Sequence, residues 1–356
     1  MVKRGTMLYL ALRRRPLPSA GLSAGVERLL ALRNWLVALK LLAGAALIYL
    51  ILRRVDAHQI SGIMLGARPG PLALACLFIA GAVVSNAYRW RSITRCLDHG
   101  VSGRTAVIGY FESMFFNQIL PTGIGGDAIR VVRAYDAGVM AGWALVGVLI
   151  DRAFGLLAVG VVLVVAYLVG GSGITAAPLF AWLAAIALMV VLGAAVAVWL
   201  GAIVRQERLP RWTAPLVSLL QAFTRVFRSS GGIAEVVMTL VVSTVLMAAS
   251  LVACAHSVGV DLGFWDGLIV MQGILLAALV PISIGGWGVR EGALILLFAP
   301  LGVGADQAVA ISVLFGLALT AIGLVGAMVW LASGYRRVDL AMRLGAIRRK
   351  SSGGAP

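Results

Sequence analysis

The sequence is poor in acidic residues, histidine and cysteine. Its 356 residues include 14 acidic residues against 30 basic ones, with 3 histidines and 3 cysteines. The cysteines lie far apart and form no CxxC pair, and the histidines stand at no metal-binding spacing. The sequence therefore predicts no metal site and says nothing about redox chemistry. These residues are Cys76, Cys96 and Cys254, together with His58, His99 and His256.

Signals for nucleotide binding and for an activated serine are also weak. The Gly-Ile-Gly-Gly segment at 123–126 is not followed by the Lys-Ser/Thr pair of a phosphate-binding P-loop. The serine, histidine and acidic residues show no arrangement typical of a serine nucleophile and its base. We therefore expect no cofactor and no enzymatic activity.

Charge of either sign is scarce, and it is unevenly placed. Charged residues make up 12% of the chain and hydrophobic residues 61%, and residues 153–204 contain no charge. Such a composition is typical of an integral membrane protein. Basic residues cluster at 3–33, 205–228 and 336–350 without an aromatic stacking platform. The net charge of +16 therefore predicts contact with the lipid bilayer and not with nucleic acid. We expect residues 205–228 to form an amphipathic helix at the membrane surface.

Apolar stretches of two lengths follow one another along the chain. A helix needs about 20 apolar residues to cross the hydrocarbon core. Two shorter pairs, 105–136 and 264–298, are predicted to form re-entrant or broken helical hairpins because proline and glycine interrupt each of them. The six stretches of spanning length cover residues 35–52, 71–88, 141–170, 178–204, 233–258 and 305–332.

The order of these segments predicts an all-α polytopic membrane protein built as an inverted repeat. The first membrane repeat covers 35–170 and the second 171–332, and each has two spans, a hairpin and a span. Residues 1–34 and 333–356 are predicted to be a basic N-terminal segment and a basic tail, both cytoplasmic by the positive-inside rule. Under this topology the two hairpins enter from opposite faces, as in many transporters that work by alternating access.

One decapeptide occurs in both hairpins. It reads Pro-Thr-Gly-Ile-Gly-Gly-Asp-Ala-Ile-Arg at 121–130 and Pro-Ile-Ser-Ile-Gly-Gly-Trp-Gly-Val-Arg at 281–290. Proline and glycine leave backbone groups that lipid cannot satisfy, so each break must be packed in protein or face a wet cavity. The repeat therefore indicates two interrupted hairpins around a shared site.

These motifs resemble the signatures of a known membrane protein family. Residues 117–130, the Asp151-Arg152 pair and residues 281–292 resemble the lysylphosphatidylglycerol synthase transmembrane-domain family, also called flippase-like membrane proteins. The resemblance implies a protein of the cell inner membrane. It would be similar to the lipid-translocating half of the multiple peptide resistance factor and to stand-alone relatives linked to hopanoid or polyprenyl lipids. Only residues 333–356 follow the last predicted span, so we do not carry over lipid aminoacylation.

Arg130 and Arg290 close the two copies of the decapeptide, about two turns into the helix after each break. Charged residues at membrane depth are costly and are usually functional. We interpret both as cations that bind the phosphate of an anionic lipid, helped by N–H groups at the helix starts. The alternative is that each arginine only neutralises a local carboxylate, such as Asp127 three residues before Arg130.

Asp127 and Glu291 are the expected counter-charges. Asp127 would also stabilise the start of its helix through the helix dipole, so capping and a gating or proton-linked role both stay open. Glu291 directly follows Arg290, and adjacent residues on a helix do not face each other. We therefore expect Glu291 to meet a different partner.

Four other polar residues lie at membrane depth. For Asp151 and Arg152, inside a long span, the alternatives are a salt bridge to the hairpins and direct contact with substrate. Glu112 corresponds to Gln272 of the second copy, an asymmetry that fits either proton coupling or a hydrogen-bonded pair. We expect the amide of Asn117 to satisfy backbone groups opened by the break.

The glycines of the two turns complete the predicted substrate site. Gly125 and Gly126 in the first copy, and Gly285 and Gly286 in the second, would let backbone or a lipid headgroup approach closely. They belong to the same hairpins as Arg130 and Arg290.

The sequence thus predicts a transporter of an anionic phospholipid or of a polyprenyl or hopanoid-type lipid. The expected partner is an anionic membrane lipid within the bilayer, and a homo-oligomer or a lipid-synthesis enzyme stays open as a further partner. Three alternatives remain, namely a non-transporting scaffold for a lipid-modifying complex, a membrane enzyme acting on a lipid headgroup, and a transporter of a small soluble anion. For the enzyme, Glu112 and Asp151 would be the only candidate bases.

Overall fold

The computed structural model describes residues 57–120, 125–171, 173–175, 177–204, 210, 213–279 and 286–333, and the regular secondary structure in these ranges is helical. These ranges contain eleven α-helices and no strand. The helices are α1 (Ala57–Leu65), α2 (Pro69–Cys96), α3 (Gly103–Ile119), α4 (Gly125–Asp136), α5 (Ala141–Val169), α6 (Pro178–Ile203), α7 (Ala214–Arg228), α8 (Ser230–Ser257), α9 (Phe264–Ala277), α10 (Val289–Phe298) and α11 (Ala305–Ala332).

Five of these helices are long and apolar enough to cross a membrane. They are α2, α5, α6, α8 and α11, and they confirm five of the six predicted spans. The predicted span at 35–52 and the N-terminal segment 1–34 lie outside the described residues, as does the tail beyond Ser333. The described part of the chain is therefore an all-α polytopic membrane protein, as expected.

Helices α3 and α4 fold back on each other, and so do α9 and α10. In the first pair, Gly109 near the start of α3 packs against the side chain of Arg133 near the end of α4. In the second pair, Gly273 on α9 packs against Leu297 near the end of α10. Each pair is therefore a hairpin of two half-length helices, close to the predicted bounds of 105–136 and 264–298.

Contacts between loops place the first hairpin at one end of the bundle. Arg225 at the end of α7 donates to the Asp98 carboxylate after α2, at 3.2 Å. At this same end, Arg133 of the first hairpin donates to the hydroxyl of Ser333 after α11, at 2.8 Å. We call this the α3–α4 end.

The second hairpin starts from the opposite end. The backbone N–H of Arg68, before α2, donates to the carbonyl of Ser257 at the end of α8, at 2.8 Å. Gly173, after α5, lies against the carbonyl of Pro300, after α10. Since α2, α5, α8 and α11 each run between the two ends, the two hairpins enter the bundle from opposite ends. This is the geometry expected of an inverted repeat.

The packed centre of the bundle is the pair α2 and α8. The Ser85 hydroxyl on α2 donates to the Thr239 carbonyl on α8 at 2.8 Å, which satisfies a polar group that lipid could not. Around this pair, a cluster of buried side chains joins α2 and α8 to α9, α10 and α11 and includes Ile79, Leu251 and Ile269. This core holds the second hairpin, α9 and α10, against α2 and α8.

Helix α2 is longer than predicted. The predicted span of 71–88 leaves Arg89 in the loop that follows it, but the helix continues to Cys96. Arg89 is 7% exposed and lies inside the bundle. The assignment was wrong because a pairing carboxylate, Asp151 on α5, makes the charge tolerable at that depth.

The prediction that Gly125 and Gly126 lie in the break of the first hairpin was wrong. They form the first turn of α4. The glycines serve packing there, since a Cβ at Gly126 would collide with Ser113 and Asn117 on α3. They allow the two arms of the hairpin to approach closely.

The amphipathic helix predicted within 205–228 is observed as α7, and its place at the membrane surface stays a prediction. Its face with Val217, Phe223 and Val226 is buried, and Arg225 and Arg228 lie on the exposed side of its last turn. Basic residues in a last turn also suit the helix dipole. Residues 205–209, 211 and 212 lie outside the described residues.

Candidate functional site

Asp151 is the centre of a buried charged cluster. It lies about a third of the way along α5, and its side chain is 2% exposed. Its carboxylate accepts hydrogen bonds from Arg89 Nε at 2.7 Å, from Arg130 Nη1 at 2.6 Å and from the Tyr110 hydroxyl at 2.5 Å. One carboxylate therefore joins α2, the two arms of the first hairpin and α5. The predicted salt bridge between Asp151 and a hairpin is present.

Arg130 is held by two carboxylates and two aromatic rings, while its buried Nε has no hydrogen-bond partner among the described residues. Its Nη2 donates to Asp127 at 2.5 Å, in addition to the bond from Nη1 to Asp151. Its guanidinium lies 4.5 Å from the ring centroid of Tyr110 and 5.7 Å from that of Trp90. Stacking on aromatic faces stabilises a cation that has left water. The predicted pairing of Arg130 with Asp127 is confirmed.

Arg152 forms the outer member of the cluster. Its Nε lies 3.0 Å from Asp127 Oδ2, and its side chain is 53% exposed against 3% for Arg130. Asp127 therefore bridges two arginines, one buried and one accessible. The salt bridge predicted between Arg152 and the hairpins is thus present as well.

The cluster carries more positive than negative charge. Arg89, Arg130 and Arg152 face Asp127 and Asp151. With all five groups ionised, one positive charge is left over. The two buried arginines are matched by the two aspartates, so the additional cation is the exposed Arg152, and the accessible side of the cluster favours an anionic ligand.

A cavity of about 500 Å³ adjoins this cluster. Arg130, Asp151 and Arg152 line one part of its wall, and side chains from α2, α5, α8 and α9 form a largely apolar remainder. The apolar part includes Ile79, Val83, Leu156, Val159, Met247 and Leu275. Pockets of this size, apolar with a few convergent polar groups, are typical of small-ligand sites.

Asn117 and Gly126 tie the arms of the first hairpin together beside the cavity. The Asn117 side-chain carbonyl accepts from the backbone N–H of Gly126 at 3.1 Å. That N–H belongs to the first turn of α4 and has no partner within the helix. The prediction that the Asn117 amide satisfies backbone opened by the break is confirmed.

Glu112 and Arg133 form a second ion pair in the first hairpin, away from the cavity wall. Glu112 is fully buried, and Arg133 donates to both carboxylate oxygens, with Nε at 2.7 Å from Oε2. Arg133 also donates to Ser333 at 2.8 Å. Of the two roles left open for Glu112, the structure contains the hydrogen-bonded pair, and the partner lies in its own repeat. Gln272, its counterpart, donates to the Leu268 carbonyl at 3.3 Å.

The charged residues of the second hairpin form a separate group. Arg290 is 5% exposed, and its Nη2 lies 3.0 Å from Glu291 Oε1 while its Nε donates to the Ser312 hydroxyl at 3.0 Å. Glu291 also accepts from the Gly288 N–H at 2.5 Å and from Ser312 at 2.8 Å. The Arg290 guanidinium lies 4.6 Å from the ring centroid of Trp287. Neither Arg290 nor Glu291 lines the cavity.

The expectation that Glu291 avoids Arg290 was wrong. Both residues lie in the first turn of α10, which begins at Val289. The Ser312 hydroxyl on the facing helix α11 lies between the guanidinium and the carboxylate and bonds to both. A long arginine side chain can bend back over its own helix start when a shared partner fixes it there.

The glycines of the second turn are placed differently from those of the first. Gly286 has a φ of +82°, a left-handed backbone conformation that strongly favours glycine. A Cβ there would meet no atom within 4 Å, so its role is in the backbone turn. Gly285 lies outside the described residues.

Two residues of the charged cluster were not predicted from the sequence. Arg89 was read as a loop residue, and Tyr110 was not singled out. A signal existed for Arg89, because an apolar helix without a breaker before Cys96 carries it inward. Nothing in the sequence marks Tyr110, since its role depends on the approach of α5 to α3.

The fold and this cluster define a class of protein. The chain is a polytopic α-helical membrane protein with a charged, cavity-lining site at its first broken hairpin. It belongs to the Lysylphosphatidylglycerol synthase TM region family, whose profile matches residues 37–350. A comparison with curated proteins gave no match.

Proposed function

We propose that this protein translocates an anionic lipid across the cell inner membrane. The observation that carries the proposal is the cavity of about 500 Å³ with a cation-rich cluster on one part of its wall. An anionic headgroup would offset the surplus positive charge. The apolar part of the wall suits the hydrocarbon next to such a headgroup.

The shape of the bundle supports movement between two faces. Two half-length hairpins enter from opposite ends of the described bundle. In many transporters such inverted pairs rock around a fixed central site and expose it alternately to each side. We propose the same rocking here, with the lipid tails remaining in the bilayer and the headgroup passing along the cavity.

Transport is favoured over catalysis by the state of the carboxylates. Asp127, Asp151 and Glu112 each form an ion pair with at least one arginine. A general base needs a carboxylate oxygen that can reach the proton it removes, and here arginine N–H groups already occupy oxygens of each carboxylate. We therefore propose that these carboxylates position cations and do not act on a bond of the lipid.

The function is tested with purified full-length protein in vesicles that contain a fluorescent anionic lipid. A membrane-impermeant quencher reports which headgroups are outside, so loss of the protected fraction measures translocation. We expect faster loss than in protein-free vesicles, and a weaker effect with a fluorescent zwitterionic lipid. A rate equal to that of protein-free vesicles for every lipid tested would contradict transport and favour a non-transporting scaffold.

A further inference from the structure

The three arginines of the cluster differ in how far a ligand can reach them. Arg89 and Arg130 have side chains 8% and 3% exposed, whereas the Arg152 side chain is 53% exposed. All three line the same cavity. A ligand that enters the cavity therefore meets the guanidinium of Arg152 most readily.

A phosphate would lose more free energy in binding Arg130 than in binding Arg152. Its two terminal nitrogens are bonded to separate carboxylates, and its face is covered by Tyr110. A phosphate could take either nitrogen only by displacing a carboxylate from it. Asp127 would then keep Arg152 and Asp151 would keep Arg89, but the phosphate would also have to enter a packed region, because the Arg130 side chain is only 3% exposed.

We propose, building on the proposed function, that Arg152 receives the phosphate of the ligand and that Asp127 is the counter-ion which the phosphate displaces. Asp127 keeps its 2.5 Å bond to Arg130 when Arg152 is taken away, so the exchange leaves no carboxylate without a cation. Arg152 then pairs with the phosphate in place of the Asp127 carboxylate. Arg130 is then a positioning residue that holds Asp127 and Asp151.

The ligand chemistry follows from the guanidinium. A planar guanidinium donates two parallel hydrogen bonds to a phosphate, and a lysine ammonium cannot reproduce that fork. The ligand is therefore a phosphate ester, either in a lipid headgroup or free in solution. Arg152 links α5 to Asp127 in the first turn of α4, so arrival of the phosphate also loosens the contact between this hairpin and the span.

The test measures binding separately from transport. Full-length protein in nanodiscs of phosphatidylcholine is titrated with fluorescent phosphatidylglycerol, with free glycerol phosphate as the soluble competitor. Arg152→Gln, Arg152→Lys and Asp127→Asn are compared with the wild type. Arg225→Gln is the matched control, because its side chain is also 53% exposed and paired with an aspartate but does not line the cavity.

We expect Arg152→Gln to weaken lipid binding by about tenfold or more, the usual effect of losing a charge-assisted hydrogen bond. Arg152→Lys should fall between Arg152→Gln and the wild type, and Arg225→Gln should bind like the wild type. Asp127→Asn should bind more tightly per folded molecule, because the competing carboxylate is gone. Thermal unfolding of each variant gives the folded fraction.

Two results would overturn the role of Arg152. One is unchanged binding in Arg152→Gln, and the other is weaker binding in Asp127→Asn at equal folded fraction. Wild-type lipid binding that depends on Arg152 without any translocation would contradict the proposed function and leave this assignment standing. The same holds if glycerol phosphate competes as well as the lipid, which would identify a soluble phosphate as the ligand.

Discussion

Arg130 and Arg290 end the two copies of one decapeptide, yet only Arg130 lines the cavity. Arg130 shares its carboxylates with two further arginines, whereas Arg290 is neutralised by the adjacent Glu291. The repeat therefore conserves the position of a cation within each hairpin but not its surroundings. In the first hairpin the cation belongs to a cluster with surplus charge, and in the second it closes a local bridge to α11.

Replacing Arg290 with glutamine should destabilise the protein more than it alters lipid binding. Among the described residues, the change leaves the buried Glu291 with Ser312 and the Gly288 N–H as hydrogen-bond partners and without its cation. Breaking one side of a buried ion pair costs about 3–5 kcal/mol. Thermal unfolding of purified protein measures the loss of stability. The binding titration in nanodiscs measures any change in lipid binding.

The double variant Arg290→Gln with Glu291→Gln is the control for this prediction. Removing both charges leaves no uncompensated carboxylate, so it should unfold at a higher temperature than Arg290→Gln alone. A single variant that keeps wild-type stability but loses lipid binding would place Arg290 in the substrate site instead.

The pair Glu112 and Arg133 should show strong energetic coupling. Glu112 is fully buried and Arg133 donates to both of its oxygens, so Arg133→Gln removes the cation that pairs with a buried carboxylate, and Glu112→Gln removes the carboxylate that Arg133 binds. A double-mutant cycle in thermal or denaturant unfolding should give a coupling free energy of about 3 kcal/mol.

The exposed pair Arg225 and Asp98 provides the comparison for that cycle. Their side chains are 53% and 85% exposed, and exposed pairs contribute about 0–1 kcal/mol. Equal coupling energies for the two pairs would contradict the burial of Glu112 in the folded protein.

Leucine at Gly126 should prevent the first hairpin from closing. Any side chain there collides with Ser113 and Asn117 and displaces the bond from the Gly126 N–H to Asn117. We expect reduced yield of monodisperse protein and loss of translocation by what remains. Gly193→Leu on α6 is the control, because a Cβ at Gly193 meets no atom within 4 Å. If both leucine variants behave alike, close approach of the hairpin arms at Gly126 is unimportant.

The sequence predicted the hairpins well because their signals are local. Proline, paired glycines and short apolar arms define a broken helix without reference to the rest of the chain, and the observed arms begin or end within a few residues of the predicted ones. Length and hydropathy gave five observed spans for the same reason.

The charged cluster was only partly predictable because it depends on which helices meet. Asp151 lies 62 residues after Arg89 and 41 after Tyr110, so no spacing rule connects them. The bond between Arg130 and Asp127 is local, at three residues, and that pairing was predicted correctly. The pairing of Glu291 was missed because Ser312, which holds it to Arg290, belongs to another helix.

The sidedness of the bundle can be tested with single cysteines in a background without Cys76, Cys96 and Cys254. Ala177 lies at the end where Gly173 meets Pro300, and Gly304 precedes α11 at that same end.

Ser102 and Ser230 lie at the α3–α4 end, where Asp98 and Arg225 pair. Because the basic loops favour the cytoplasm, cysteines at Ala177 and Gly304 should react with a membrane-impermeant thiol reagent in intact cells. Cysteines at Ser102 and Ser230 should react only after the membrane is permeabilised, which also controls for accessibility. The opposite pattern would reverse the orientation of the bundle and keep its fold. Reaction of one residue from each end would contradict the inverted arrangement of the hairpins, because the helices between them would no longer separate two faces.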